Sequence, residues 1–204
     1  MAERSTFESM RNDEREARRQ VIIESTIKIL NQRPFIDIGM RDIAAEAGVS
    51  AASIYRYFPS RNDLIVEALM QQIMLIVDDF NRRLGDAPPV SLEEFSGYVV
   101  DYLADNEATF QMMSYLMVVG QMSPKVLSKF NQVQRLFLGG FARVLGQAGL
   151  SGDLRIFSQA FFAALAGVAM TYRNYPGRDK DEIRKHMKRL ADIIATLFRQ
   201  GLQK

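Results

Sequence analysis

Apolar residues recur along most of this chain at spacings of three and four, and no stretch alternates apolar and polar residues with period two for long. That pattern predicts an all-α protein. A first helix is expected from about Asn12 to Gln32, with Ile22, Ile23, Thr26, Ile27 and Leu30 as its inward stripe and Pro34 as its stop. Two short helices follow within residues 39–58. Ser60 with Asp63 then opens a long helix carrying Leu64, Ile65, Ala68, Leu69, Ile73, Ile76, Val77 and Phe80, interrupted by Gly85 to Pro89. Ser91 with Glu94 caps the next helix, to about Asn106, and Thr109 to Gln121 forms a more hydrophobic one. Pro124 to Gln147, Asp153 to Tyr175 and a last helix capped by Asp179 and Glu182 complete about nine helices. The expected division is an N-terminal three-helix domain over 12–62 and a larger helical domain over 63–204.

The segment 39–58 carries the most specific local signal. A compact helix-turn-helix needs a small residue where its helices cross, a turn residue that tolerates positive φ, and apolar residues between the helices. Ala44 supplies the first, Gly48 the second, and Ile43, Val49 and Ile54 the third. The second helix, Ser50 to Phe58, then presents Ser50, Ser53, Tyr55, Arg56 and Tyr57, which are donors suited to phosphates and base edges. This arrangement predicts binding to double-stranded DNA.

Composition narrows the rest. Hydrophobic residues make up 48% and charged residues 25% of the 204, ordinary for a folded globular chain. The net charge is only +2, and residues 1–62 hold ten Lys/Arg against nine Asp/Glu, so any DNA contact must come from a local patch. Cysteine is absent and histidine occurs once, as His186 in a basic run from Arg184 to Arg189. With no defensible catalytic pairing, the chain is not expected to be an enzyme or to need a metal or cofactor. The charged start lacks a leader-like apolar core, and the longest nearly apolar stretch, Ala160 to Met170, is short of the roughly 20 residues a membrane helix needs. A cytoplasmic, bacterial-type protein without a membrane partner is the simplest expectation.

Met40 to Ser50 (MRDIAAEAGVS) and Ile54 to Leu64 (IYRYFPSRNDL), placed after one N-terminal helix, resemble the tetracycline-repressor (TetR) family of bacterial transcription regulators. The resembling region covers about residues 17–77. The resemblance implies that Met40 to Ala47 supports a recognition helix, Ser50 to Phe58, which enters the major groove. Arg41 then lies where it can reach DNA, Ala51, Ala52, Ser53 and Tyr55 occupy base-facing positions, and Tyr57 and Arg61 match phosphate-contacting positions. Two positions depart from the pattern. Gly39 stands where a Thr or Ser usually caps the supporting helix, and Ala51 replaces a frequent Lys or Gln. Sequence readout is therefore expected from Arg41, Ser53, Tyr55 and Arg56, with Ala51 or Ala52 meeting a thymine methyl.

The resemblance also implies a homodimeric repressor released from a palindromic operator by a small-molecule effector. The Met and Phe residues between Tyr98 and Phe141 read either as core or as the walls of an effector cavity. The candidate walls are Phe110, Met113, Met117, Phe137 and Phe141, with Tyr102, Gln111, Tyr115 and Gln121 as polar anchors, which suits an apolar or aromatic ligand. The small residues Ala163, Ala164, Ala166, Gly167 and Ala169 permit close helix approach. In the family the last two helices form a four-helix dimer interface, here expected from Phe161, Ala164, Leu165, Val168, Tyr172, Leu190, Ile194 and Leu197. Glu94, Tyr98, Asp101 and Asp105 share one helix face and read as a solvated acidic face before a cationic-ligand site. Control by a protein partner, or a helical carrier with a vestigial helix-turn-helix, remain the alternatives.

Overall fold

The computed structural model describes residues 2–85, 90–119 and 121–201. These residues form nine α-helices: α1 (Ala2–Leu30), α2 (Met40–Glu46), α3 (Ala51–Tyr55), α4 (Arg61–Gly85), α5 (Leu92–Asp105), α6 (Glu107–Val119), α7 (Pro124–Gln147), α8 (Leu154–Tyr172) and α9 (Lys180–Gly201). A single 3₁₀ turn, Phe35–Asp37, lies between α1 and α2. The expected interruption after Gly85 falls, over 86–89, outside the described residues.

Packing divides the chain into two units, Met1–Met70 with Gln111–Leu127, and Gln71–Phe110 with Ser128–Lys204. The units do not follow the expected boundary at residues 62 and 63. The start of α4 and most of α6 pack with the N-terminal helices, because polar side chains there, described below, bind the residues between α1 and α4.

In the first unit α1 begins well before Asn12. Its inward stripe is Ile22, Ile23, Thr26, Ile29 and Leu30, with Ile27 only half-buried. The buried Thr26 hydroxyl donates to the Ile22 carbonyl (2.8 Å), so it is not stranded. Ile43, Ala44, Ile54, Phe58, Leu64, Ile65 and Ala68 complete the core. Each large side chain buried there contributes ~1.5–3 kcal/mol relative to exposure. Val49, expected inside, is 38% exposed. Its backbone explains why: the Val49 N–H closes the end of α2 on Ala44 O and Gly48 N–H on Ala45 O, which turns the side chain outward. Gly48 has φ +66°, the left-handed conformation that this helix end requires.

The second unit is held by a cluster of aromatic rings. Phe95 meets Phe80 (5.0 Å), Phe141 (4.9 Å) and Phe161 (6.3 Å), and Phe161 meets Phe198 (4.8 Å). A Cβ at Gly140 of α7 would lie 2.8 Å from the Phe80 ring, so a larger residue there would have to displace that ring. The Ser91–Glu94 capping box forms as expected, with each N–H held by the other residue's side chain. On the acidic face of α5 Glu94 is exposed, but the other carboxylates are paired with α9. Glu93 pairs with Arg199, Asp101 with Lys188 and Arg184, and Asp105 with Arg184, so the ladder runs antiparallel along α9. Tyr98 instead donates to Asp79 on α4 (2.9 Å).

Among the described residues α8 alone is long and apolar enough to cross a bilayer by length and composition, a longer apolar helix than the Ala160 to Met170 run suggested. Its Phe161, Leu165 and Ala169 are nonetheless fully buried in the unit's core, where α8 packs on α5 and α9.

Candidate nucleic-acid interface

The geometry of the α2–α3 pair follows from its caps. Gly39 is the extended N-cap residue of α2, and its N–H donates to Asp42 Oδ2 (2.8 Å). Asp42 Oδ1 accepts from Arg33 (3.1 Å). The Gly39 N–H first, and Arg33 next, hold the Asp42 carboxyl below the usual aspartate range. At α3, Ser50 Oγ accepts from the Ser53 N–H (3.1 Å) and lies 2.8 Å from Ser53 Oγ. Ser50 is thus a capping residue first, although it stays exposed. The helix itself is shorter than the sequence suggested, ending at Tyr55 with Arg56 and Tyr57 in a turn.

With Ile43 and Ile54 fully buried between the helices, the opposite side of the pair faces solvent. Arg41, Ala52, Tyr55 and Arg56 are exposed, while Ala51, Ser53 and Tyr57 are half-buried. Arg41 and Arg56 have no ion-pair partner among the described residues. The neighbouring charges Lys28 and Glu46, and Arg33 and Asp42, neutralise each other. The surface therefore carries free guanidinium donors, small side chains and one exposed phenol. Ile36 was not singled out in the sequence. It projects from the 3₁₀ turn, 89% exposed, while Phe35 beside it is buried. A turn of one residue triplet can bury only one of two adjacent apolar side chains.

Arg61 is placed differently from its expected role. Its Nη2 donates to the Phe35 carbonyl (3.1 Å) and the Ile38 carbonyl (2.9 Å), and its guanidinium lies over the rings of Phe35 (4.3 Å) and Tyr115 (5.2 Å). Asn62 and Asp63 also face inward. The Tyr115 hydroxyl donates to Asn62 Oδ1 (2.7 Å), Asn62 Nδ2 donates to the Gln121 carbonyl (2.8 Å), and Ser123 N–H donates to the buried Asp63 (3.0 Å).

The residues expected to line an effector cavity do not gather in either unit. Gln111, Met113, Tyr115, Met117 and Gln121 belong to the first, and Tyr102, Phe110, Phe137 and Phe141 to the second. Gln111 Oε1 accepts from the Phe35 N–H (2.6 Å), Tyr115 is engaged as above, and Met117 is 57% exposed. In the second unit, Phe137 and Phe141 meet each other at a tilt and Phe162 edge-on, and Phe110 lies under Arg173 (4.8 Å). Burial pushes the Tyr102 phenol above its ordinary range, with Thr109 opposing.

The expected interface residues of α8 divide between buried and half-buried positions. Phe161, Leu165 and Val168 point into their own core, and Ala164 and Tyr172 are half-buried. Of the α9 set, Leu190 and Ile194 are half-buried and Leu197 is 61% exposed. The outward stripe of α8 is instead Ile156, Ala160, Ala163, Gly167 and Met170, which alternate by four and three. His186 lies edge-on against Tyr172 (4.9 Å).

Residues 22–68 match the bacterial regulatory proteins of the tetR family. The transcriptional repressor KstR of Mycobacterium tuberculosis is 28% identical over 67% of this chain and 62% of its own length. The repressor LfrR of Mycolicibacterium smegmatis is 37% identical over 42% of each chain. The chain thus spans less than two thirds of these curated relatives. The solved structure of FadR from Bacillus subtilis, in complex with stearoyl-CoA, is 17% identical. It covers 89% of this chain and 98% of its own, with a TM-score of 0.63, and so shares the fold. The match to the tetR family falls on the helices that carry the exposed donors.

Proposed function

We propose that this protein is a homodimeric transcriptional repressor, each protomer placing α3 in a major groove of a palindromic operator. The observation that carries the reading is the exposed side of the α2–α3 pair, where Arg41 and Arg56 lack intrachain partners beside the exposed Tyr55 and Ala52. A charged side chain left free beside a neutralised surround is suited to phosphate, and the small and phenolic groups to base edges. Ser50, Ala51, Ser53 and Tyr57 complete the contact surface. Two-fold symmetry places the half-sites about one helical turn, ~34–36 Å, or slightly more apart. The names of KstR and LfrR as transcriptional repressors support the direction of control.

The dimer forms through the outward stripes of α8 and α9. Only 33% of the apolar stretch of α8 is buried within the chain, and small residues with Ile193 and Leu197 leave a surface that a second copy covers. Release follows from a small, largely apolar effector taken up among the C-terminal helices, as the acyl-CoA bound to FadR suggests. Tyr102, Phe110 and the Phe137–Phe141 pair are the candidate contacts. Such a ligand acts by binding the DNA-incompetent state more tightly, tilting the connector Ser60–Leu84.

The test is selection of duplexes from a random pool by the purified protein, followed by titration of the winning sequence. Tyr55→Ala and Arg56→Ala are expected to lower affinity for that duplex at least 100-fold, with sedimentation unchanged. Recovery of no enriched sequence, or wild-type affinity in both variants, overturns the reading.

A further inference from the structure

We propose that Arg61 is a positioning residue of the DNA reader and not a phosphate contact, as the family resemblance implied. The proposal rests on the DNA-binding reading above. One nitrogen, Nη2, donates to the carbonyls of Phe35 and Ile38, which bracket the 3₁₀ turn leading into α2. The same guanidinium lies 4.3 and 5.2 Å from the centroids of two aromatic rings, within cation–π range, and those rings meet at 4.5 Å. Phe35 is in turn held at its N–H by Gln111, and Tyr115 at its hydroxyl by Asn62. Arg61 Nε is buried without a partner, so Nη2 and the rings hold the group.

Reaching a phosphate would break both carbonyl bonds and both ring contacts at once. The two carbonyls would then need other donors, and Phe35 and Ile38 are 8% and 2% exposed, with little access to water. The clamp has a direct consequence for recognition. Ile38 is followed by Gly39, the N-cap residue of α2, and Arg41 lies in the first turn of that helix. Fixing the turn fixes the start of α2, and through it the direction in which Arg41 and the α2–α3 pair are presented.

Lysine separates the two roles. A phosphate contact tolerates Arg→Lys well because the ammonium still supplies a point charge. A clamp in which one guanidinium nitrogen bonds two carbonyls while the rest of the group lies over two rings does not, because the compact ammonium of lysine cannot fill both places at once. Arg61→Lys is therefore expected to bind the selected duplex at least tenfold more weakly, with the slope of log affinity against log salt unchanged. Arg61→Met is expected to weaken binding similarly while leaving that slope within about half a unit of wild type. A lost phosphate contact would lower it by about one per protomer. Without DNA, Arg61→Lys is expected to speed amide exchange at Asp37 and Ile38, while far-ultraviolet circular dichroism stays that of the wild type.

Affinity within twofold of wild type in Arg61→Lys overturns the proposal, as does a slope lowered by one or more per protomer in Arg61→Met. Unaltered exchange at Asp37 and Ile38 overturns the clamp itself. If the wild-type protein selects no duplex, the function reading fails, and the exchange measurement still decides whether Arg61 holds the turn.

Discussion

The short helix α3 and the long helix α8 both show solvent a face that their own unit does not cover, and the two faces differ in chemistry. On α3 and the turn after it the exposed groups are a phenol, a guanidinium and small side chains. On α8 they are Ile156, Ala160, Ala163, Gly167 and Met170. Short elements such as α3 owe their geometry to hydrogen bonds from caps, because five residues cannot sustain a helix alone. Their outer face is therefore free to be polar. A helix of 19 residues is held by the stripe it packs into its own unit, and an apolar outer face on it gains when another surface removes it from water. On the proposed reading, a polyanion meets the polar face and a second copy of the chain the apolar one.

The largest expected effect breaks the apolar half of that contrast. A Cβ added at Gly167 meets nothing within 4 Å in its own chain, so Gly167→Arg fits the folded protomer. Helix propensity favours the replacement by up to about 1 kcal/mol. The added side chain nevertheless stands in the middle of the outward stripe, where the close approach of a partner helix is required. The variant is expected to sediment as a monomer at micromolar concentration, with undiminished helical content, and to lose operator affinity by at least 100-fold. A Gly167→Arg protein that remains dimeric would remove α8 from the interface.

The same contrast explains what was legible in the sequence. The reader could be placed because its turn chemistry is local: Ala44, Gly48 and Ser50 act on residues within a few positions of themselves. Arg61 could not be assigned, since a guanidinium in that motif reads the same whether it turns outward or inward. Its partner Phe35 lies 26 residues earlier, and Tyr115, which stacks on it, also binds Asn62 across 53 residues. On α8 the periodicity offers two apolar stripes, and nothing local distinguishes the one under α5 and α9 from the one facing out. The stripe carrying Phe161 and Leu165 filled the core, and the one carrying Ile156, Ala160, Ala163, Gly167 and Met170 was left exposed. The acidic face of α5 was visible as a face, but its partners on α9 are about 80 to 100 positions away, beyond any local pattern.

A smaller effect sharpens the polar half. The Asp42 carboxyl is held below its ordinary value near 3.8 by the Gly39 N–H and by Arg33. A carboxyl depressed in the folded state stabilises that state above its ordinary value, and the contribution is lost as pH falls through the lowered one. Asp42→Asn is therefore expected to lower the melting temperature modestly at neutral pH. The difference from wild type should shrink as the pH drops below that ordinary value and both side chains become neutral. A gap between the two melting curves that is constant down to strong acid would show that the cap acts without its charge.

The smallest effect concerns the ladder between α5 and α9, where neither face looks outward. Lys188 Nζ lies 2.7 Å from Asp101 Oδ2, and Arg199 lies 2.9 Å from Glu93 Oε1. The pairs are nevertheless half-open to water, and Asp101 Oδ1 and Glu93 Oε1 gain proximity to charge without an aligned hydrogen bond. Such pairs contribute about 0.2–1 kcal/mol each. A double-mutant cycle between Asp101→Asn and Lys188→Met is expected to return a coupling in that range. It should fade toward zero in 1 M salt, where screening acts over about 3 Å. A coupling well above 1 kcal/mol that survives high salt would mean that the ladder fixes the α5–α9 register. Fully buried Met187, Ala191 and Ala195 supply that register here, because their removal from water does not depend on charge.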